Sequence, residues 1–170
     1  QPIYTQIKYV TVPIGETSVV DNMFAGCSAL EMVSVPEGVS NICDRAFYNC
    51  GRLQSVDLPQ TLTTIGQYAF YYCNSLSSIV LPENVQTIGS YAFYYCTGLT
   101  NVTLSRSLKT IPDYAFYNCG QLQSLVVPAS VGYLGSCSVP WGARSIYFVN
   151  SSFSSFLYPK FSYNYQKQKT

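Results

Sequence analysis

A repeat of 23 residues organises this chain. One six-residue pattern, Tyr-Ala-Phe-Tyr-Tyr-Cys at residues 68–73, returns with small changes at 45–50, 91–96 and 114–119, and in a worn form at 23–27. The cysteines of these segments lie 23 positions apart each time: Cys27, Cys50, Cys73, Cys96 and Cys119. A fixed period of a few tens of residues predicts a solenoid, in which each repeat forms one coil. A single coil cannot bury its own apolar face, so we expect about six stacked coils to share one core.

The order of residues within a repeat predicts the path of each coil. Leu76, Ile79 and Leu81 alternate as in a short strand, and Pro82 ends the strand because proline cannot donate a ladder hydrogen bond. A second apolar pair then predicts another extended segment, followed in three repeats by a glycine that we expect to supply a bend: Gly66, Gly89 and Gly135.

The segment before each strand has a different spacing. Ala69, Phe70, Cys73 and Leu76 lie at i, i+1, i+4 and i+7, which predicts a helical or 3₁₀ turn with one buried face. We therefore predict an α+β solenoid, with short parallel β-strands on one face and short helical or 3₁₀ turns on the other.

The ends of the chain depart from the repeat. We divide it into a degraded N-terminal repeat or cap (1–22), regular repeats (23–135), an irregular last coil (136–150) and an aromatic C-terminal cap or arm (151–170). The chain begins at Gln1, which we interpret as a processed, secreted chain or a trimmed piece; only the first would imply secretion. Residues at both ends are candidates for contact between copies of the chain: Ile7, Val10, Phe153, Phe156, Tyr158 and Phe161.

Composition excludes several classes of function. The net charge is +1 and no basic stripe occurs, so we expect no nucleic-acid partner. The chain contains no histidine, the commonest general base and a usual metal ligand. No apolar run approaches the roughly 18 residues of a membrane span. The acidic residues show no repeated paired spacing, and we expect them to be solvated: Asp21, Glu31, Glu37, Asp44, Asp57, Glu83 and Asp113. We predict no enzymatic activity, no metal and no cofactor.

The cysteine column is most simply a row of buried free thiols. Stacked about 4.8 Å apart, these side chains point in parallel, which suits neither disulfides nor tetrahedral metal coordination. Cys43 and Cys137 stand off the column. With seven cysteines in the chain, at least one stays unpaired or bonds to another chain.

The tyrosines are the most informative surface feature. On each turn segment they fall opposite the buried residues, so that stacking produces an aromatic stripe on the outer face. The rings either simply cover the turns or contact a protein or glycan, because tyrosine combines apolar area with a polar tip. The stripe comprises Tyr48, Tyr68, Tyr71, Tyr72, Tyr91, Tyr94, Tyr95, Tyr114 and Tyr117.

The outward residues of the strands form a second candidate surface, the sheet face. Most of them are small and neutral, so this face offers few anchors to a partner. It comprises Tyr9, Thr11, Met32, Ser34, Ser55, Asp57, Ser78, Val80, Asn101, Thr103, Ser124 and Val126. Asn101 and Asn150 begin glycosylation sequons, which matter only in a eukaryotic source. A glycan on Asn101 would block the sheet face.

The repeat L-x-x-I-x-L-P-x-x-V-x-x-I-G-x-Y-A-F-x-x-C resembles the BspA-like, or Treponema-type, leucine-rich repeat over about residues 5–135. The resemblance is carried by the Ala-Phe-Cys sets that end at Cys50, Cys73, Cys96 and Cys119, together with Pro59, Pro82 and Pro128. It implies a right-handed leucine-rich-repeat array. Members are secreted or attached to the surface of bacteria and parasitic protists, and are associated with adhesion rather than catalysis.

Two functions are expected from these features. The first is an extracellular adhesion or recognition module, with a protein or glycan partner on a host or neighbouring cell. The second is a structural subunit, because a solenoid exposes strand edges at both ends and head-to-tail stacking can build a filament or surface layer. In that case the partner is another copy of the chain.

Overall fold

The protein is a stack of coils built from short parallel strands. The computed structural model describes residues 5–140 and 142–149. The strands there are two to four residues long: β1 (Tyr9–Thr11), β2 (Ser18–Val19), β3 (Met32–Ser34), β4 (Asn41–Ile42), β5 (Ser55–Asp57), β6 (Thr64–Ile65), β7 (Ser78–Val80), β8 (Thr87–Ile88), β9 (Asn101–Thr103), β10 (Thr110–Ile111), β11 (Ser124–Val127), β12 (Tyr133–Leu134) and β13 (Ser145–Phe148).

The strands form two rows along the stack. In the first row, β1, β3 and β5 make a parallel sheet, and the pairs β7–β9 and β11–β13 continue it. In the second row, β2, β4, β6 and β8 make a sheet that the pair β10–β12 extends. Residues one period apart face each other, as Tyr9 faces Met32 and Ser78 faces Asn101. Ser124 faces Ser145, so the last coil is two residues shorter than the period.

The predicted helical turns do not form, and the α+β assignment is wrong. No α-helix occurs in residues 5–140 and 142–149, and the turn segments contain no 3₁₀ helix; the fold is a parallel β-solenoid of about six turns. The N–H of Phe70 donates to the carbonyl of Ala92 in the next coil (2.8 Å), whereas the N–H of Tyr71 donates back to Tyr68 (3.2 Å). Tyr68 and Tyr72 have φ of 56° and 59°. Left-handed residues at these two positions interrupt any helix, and alternate N–H groups bond between coils instead.

The glycine after the second strand is needed for close approach between coils. Gly66 was expected to supply a bend, but its φ lies outside the left-handed region. A Cβ on Gly66 would lie 2.5 Å from Oδ1 of Asp44 and 2.7 Å from the carbonyl carbon of Cys43, in the preceding coil. Such contacts are far shorter than van der Waals distances, so a side chain at this position would force the coils apart.

Columns of identical side chains fill the interior. One column, the phenylalanine ladder, consists of Phe24, Phe47, Phe70, Phe93 and Phe116. Its rings stack face to face with centroids 5.1–5.3 Å apart. All but Phe24, which lies in the first coil, are fully buried. A ring that is buried on both faces belongs to a core shared by successive coils, as the repeat predicted.

The cysteine column lies in the same interior as free thiols, as predicted. The thiols also donate hydrogen bonds, as Cys73 Sγ does to the carbonyl of Phe47 (3.2 Å). Burial raises the pKa of Cys50 and of Cys119 to about 12, and raises the pKa of Cys73 and Cys96 well above the ordinary value. These thiols therefore stay protonated and unreactive near neutral pH.

Acidic side chains join neighbouring coils. The sequence predicted only that these charges are solvated, and did not predict these bonds. Oδ1 of Asp44 accepts the N–H of Gln67 (2.7 Å), and Oε1 of Glu37 accepts the N–H of Gln60 (2.8 Å). Asp21, Glu83 and Asp113 make equivalent bonds to the next coil. These carboxylates satisfy backbone donors at the corners of the coils, so their role is structural.

Candidate functional site

Nine tyrosines of the turn segments form one continuous surface of rings, which we call the tyrosine surface. Every one of them is half-buried. They lie in three columns that run along the stack: Tyr68, Tyr91 and Tyr114; Tyr48, Tyr71, Tyr94 and Tyr117; and Tyr72 and Tyr95. The structure thus brings together all the residues predicted for the aromatic stripe.

Within each column the rings stack face to face. In the central column the centroids are 4.9 Å apart from Tyr48 to Tyr71, 5.0 Å from Tyr71 to Tyr94 and 5.4 Å from Tyr94 to Tyr117. The planes of these pairs differ by 17° or less. The coil spacing sets these distances, so the faces of the inner rings are occupied by other rings. Ring edges and hydroxyl groups remain for contact with a partner.

Between columns the rings meet at an angle. Tyr71 contacts Tyr72 at 4.8 Å with a tilt of 46°, and Tyr68 at 5.6 Å with a tilt of 63°. Tilted and edge-to-face pairs are favoured arrangements for aromatic rings, because a positive ring edge meets a negative ring face. At one end the guanidinium of Arg45 lies 5.1 Å from the centroid of Tyr68. The contacts between columns join the nine rings into a single array.

Five of these tyrosines adopt a backbone conformation that tyrosine seldom takes. Tyr68, Tyr72, Tyr91, Tyr95 and Tyr114 have φ between 56° and 61°. A left-handed φ costs about 1–2 kcal/mol for a residue with a Cβ, and asparagine and glycine tolerate it best. The position of Tyr72 and Tyr95 is taken by Gly26, Asn49 and Asn118 in other coils of the same chain. The backbone alone therefore does not require tyrosine there, and the rings must contribute something else.

The tyrosine hydroxyls have no hydrogen-bond partner among the described residues. In the part of the chain that the structure describes, none of the nine is hydrogen-bonded to another protein group. Burial, and then the neighbouring phenols, raise the pKa of Tyr71, Tyr91 and Tyr94. These three phenols are therefore protonated at neutral pH and can donate hydrogen bonds.

The sheet face has scattered anchors. Val80 is 62% exposed and Val126 51%, with exposed Thr103 lying between them. At the other end Tyr9 and Met32 are exposed, and the hydroxyl of Tyr9 donates to Glu31 (3.3 Å). The remaining predicted positions are small or polar. Asn101 is exposed on β9, where a glycan could be attached, and its glycosylation stays a prediction. Asn150 lies outside the described residues.

The first coil leaves apolar side chains uncovered within the described residues. Ile14 is 91% exposed, Val20 54% and Ile7 37%, and Val10 is half-buried. In the following coils the column of Ile7 continues as Leu30 and Leu53, which are fully buried. The difference follows from position, because among the described residues the first coil packs against only one other coil. The other predicted assembly residues, Phe153, Phe156, Tyr158 and Phe161, lie outside the described residues.

Residues 5–140 and 142–149 contain neither a cluster of metal ligands nor a membrane-spanning helix. No group of three histidine, cysteine or acidic side chains is placed to bind a metal ion there. Over the same residues no helix has the length and apolar character needed to cross a membrane.

Comparison with known proteins gives the family. Residues 17–139 match the family model described as the BspA type leucine rich repeat region, in 6 copies. Among curated proteins no match is found. A leucine-rich repeat protein of Bacteroides ovatus has a similar structure, with a TM-score of 0.74 and 28% sequence identity. The match covers 87% of this chain and 44% of that protein.

Two further solved structures share the fold. The pneumococcal vaccine antigen PcpA has a TM-score of 0.78 and 19% identity, with 100% of this chain and 44% of that one matched. A leucine rich cell surface protein of Faecalibacterium prausnitzii has a TM-score of 0.63 and 24% identity, with 86% and 49% matched. At these identities the likeness shows the fold alone. The chain spans less than half the length of all three proteins.

Proposed function

The chain belongs to the family of BspA-type leucine-rich repeat proteins, and on this premise we propose that it is a non-enzymatic protein-interaction module of the cell surface or extracellular space. Its role is adhesion or recognition, and its partner is a protein or glycan on a host or neighbouring cell. The tyrosine surface is the observation that carries the proposal. Two solved structures with this fold, named as a vaccine antigen and a cell surface protein, support the location.

The tyrosine surface has the chemistry of a recognition site. Tyrosine is enriched at binding hot spots, since a ring covers apolar area at a low cost in side-chain entropy and its hydroxyl adds a directional bond. The stacked columns hold the rings in fixed positions, so little further ordering is needed on binding. The surface is nearly uncharged, so affinity depends on ring contact and hydroxyl bonds rather than on long-range attraction.

Binding to cells tests this proposal. Fluorescently labelled chain is incubated with candidate host and microbial cells, and bound protein is counted by flow cytometry. The variant Tyr72→Asn/Tyr95→Asn removes one column of rings and inserts the residue that the chain itself uses at Asn49 and Asn118. We expect this variant to lose most of the binding.

A matched control uses the sheet face. The variant Met32→Ser/Val80→Ser removes two exposed apolar side chains from that face. We expect it to bind as the wild type does. Binding that falls in this control and persists in the tyrosine variant would move the site to the sheet face.

Self-assembly into a filament or surface layer is the second candidate, and the first coil favours it. Its exposed apolar side chains lie at the end of the stack where β1 pairs with β3 alone among the described strands. Contact between this end and the other end of a second copy would be heterologous, and an open polymer follows if the rotation does not close. The aromatic residues at 151–170 are part of this proposal.

Size measurements separate the two candidates. Light scattering over a concentration series, with negative-stain electron microscopy, detects rings or filaments directly. Ile7→Lys/Val20→Lys should abolish any large species, because a charge buried at a contact between copies is costly. A particle of about 19 kDa at all concentrations would exclude self-assembly.

A further inference from the structure

We propose that the tyrosine surface binds an extended, proline-rich peptide segment in the polyproline II conformation, lying along the axis of the solenoid. This inference rests on the proposed function, since it names the partner chemistry of the same surface. Four properties of the described residues support it.

The first property is the occupied ring faces. A sugar ring usually packs flat on an exposed aromatic face, but here the face of Tyr94 is covered by Tyr71 on one side and Tyr117 on the other. A partner therefore meets ring edges, which carry the positive end of the ring quadrupole, and hydroxyl groups. Carbonyl oxygens complement both. Such a surface favours a peptide backbone over the flat face of a sugar.

The second property is the supply of donors. The tyrosine hydroxyls have no partner within the described part of the protein, and burial raises the pKa of Tyr71 and Tyr94 further above neutral pH. Each proline offers a backbone carbonyl and no N–H, so a proline-rich segment is a row of acceptors with apolar rings between them. A surface of phenols matches it without leaving a buried donor of the peptide unpaired.

The third property is the spacing. Polyproline II has three residues per turn and a rise of about 3.1 Å per residue, which gives about 9.3 Å per turn. Two steps along the central column, from Tyr71 to Tyr94 and on to Tyr117, measure 5.0 and 5.4 Å. One turn of the peptide is therefore about 1 Å shorter than two coils, so over one or two turns equivalent carbonyls return near equivalent rings. Because a polyproline II segment is already extended and stiff, it loses little entropy on binding.

The fourth property is the state of the backbone beneath the rings. The N–H groups of Phe70, Tyr72 and Phe93 donate to carbonyls of the next coil, and those of Tyr71 and Tyr94 donate within their own turn. A peptide cannot add to this surface as a β-strand, since the backbone donors are in use. Recognition must act through side chains, as it does in aromatic sites that bind proline-rich ligands.

Fluorescence anisotropy with defined peptides tests the inference. A labelled all-proline peptide of about six residues, two turns long, matches the four coils of the tyrosine surface and is titrated with the full chain, beside a glycine–serine peptide of the same length. We expect saturable binding of the proline peptide and binding about tenfold weaker for the glycine–serine peptide, which is flexible and carries extra N–H donors.

The variant Tyr71→Phe/Tyr94→Phe tests the donors, because it keeps the rings and removes two hydroxyls. Because the variant loses hydrogen bonds to peptide carbonyls, we expect its dissociation constant for the proline peptide to rise about tenfold. Circular dichroism checks that the variant folds, and Met32→Ser on the sheet face is the control. Equal affinity of the wild type and this variant, equal affinity for the two peptides, or absence of saturable proline binding each overturns the inference.

Cell binding run in parallel separates this inference from the proposed function. If cells bind the wild type but not Tyr72→Asn/Tyr95→Asn, while the proline peptide does not bind, the recognition surface stands and the proline-rich partner is wrong. If an oligosaccharide competes with the cells in that case, the partner is a glycan. If Tyr72→Asn/Tyr95→Asn and Tyr71→Phe/Tyr94→Phe both bind cells and the proline peptide as the wild type does, the tyrosine surface is not the binding site.

Discussion

The phenylalanine ladder and the tyrosine surface are built on the same turn segments with the same coil spacing, yet they differ in how uniform they are. Phenylalanine occupies its column in all five coils from Phe24 to Phe116. The tyrosine columns change along the chain, since Asn22, Arg45, Tyr68 and Tyr91 follow one another at one position. The interior column thus holds one residue type, whereas the outer columns hold several.

This difference separates what the fold requires from what it permits. A phenylalanine removed from the interior leaves a void between two coils, and every coil faces that penalty. A tyrosine on the outer face can be replaced by asparagine without a void, and the chain makes this replacement itself at Asn49 and Asn118. Tyrosine is concentrated in the middle coils despite its less favourable backbone. The outer rings are therefore the part of the repeat that is available for function.

The variant Phe70→Ala gives the largest expected effect. Phe70 stacks on Phe47 and Phe93 and is fully buried, so its removal should lower the free energy of unfolding by about 3–5 kcal/mol. Tyr71→Ala, at the next residue, should cost about 1 kcal/mol because that ring is half-exposed. Urea titration followed by circular dichroism measures both. Equal losses would erase the distinction between interior and outer face.

Alkaline pH probes the interior through its thiols. The pKa of Cys50 and Cys119 is about 12 in the folded chain, against an ordinary value of 9.0. Below pH 9 both states hold the proton and stability is retained. Above pH 9 the unfolded chain releases protons that the folded chain keeps, so stability falls by about 1 kcal/mol per pH unit for each thiol until the folded pKa is reached.

Urea titrations at a series of pH values from neutral to about pH 11 measure that slope. The variant Cys50→Ala/Cys119→Ala is the control, since it removes two of the titrating groups and should flatten the slope whatever its stability at neutral pH. Stability that is independent of pH over this range would show that the thiols reach water.

The variant Gly66→Ala tests the coil spacing, on which both ladders depend. An added Cβ would meet the backbone of Cys43 and Asp44, and overpacking of this kind costs about 1–3 kcal/mol. Gly51→Ala is the matched control, because a Cβ there meets no atom within 4 Å. Thermal unfolding compares the two. If Gly51→Ala were the more damaging change, close approach of the coils could not be the reason for Gly66.

The variant Tyr72→Asn/Tyr95→Asn should have the smallest effect on stability. Loss of the ring contacts costs about 0.5–1.5 kcal/mol for a pair. Asparagine tolerates the left-handed φ better than tyrosine does, which offsets this cost, so we expect the free energy of unfolding to change by less than about 1 kcal/mol. Urea titration checks this. A large loss of stability would mean that the tyrosine surface supports the fold, and would weaken its assignment as a recognition site.

The sequence predicted the repeat, the short parallel strands and the buried thiols correctly, because these follow from period and polarity alone. It gave the wrong structure for the turn segments. The spacing of Ala69, Phe70 and Cys73 is compatible with a helix, but it also fits a turn in which Tyr68 and Tyr72 are left-handed. Local spacing could not distinguish these, since the deciding hydrogen bonds are made to another coil. The candidate surfaces could be placed on a face, but their ring stacking could not be predicted.

Two roles were missed for the same reason. Asp44 and Gly66 were interpreted as a solvated charge and a bend, yet Asp44 bonds the N–H of Gln67 and Gly66 makes room for the coil of Asp44. A signal was present, because Asp21, Asp44 and Asp113 share one position of the 23-residue period. A polar residue type that recurs at one position of the period indicates a structural role for that position, as a recurring apolar residue does.

By itself the sequence determined that the chain is a stack of coils, which residues face inward and which face outward. A fixed period with constant polarity at each position leaves no other way to bury the apolar columns. The tertiary structure alone decided how the coils bond, since each turn segment chooses between a helical bond within itself and a bond to its neighbour. That choice, made by every coil together, brings the tyrosine rings to stacking distance and creates the surface on which the proposed function depends.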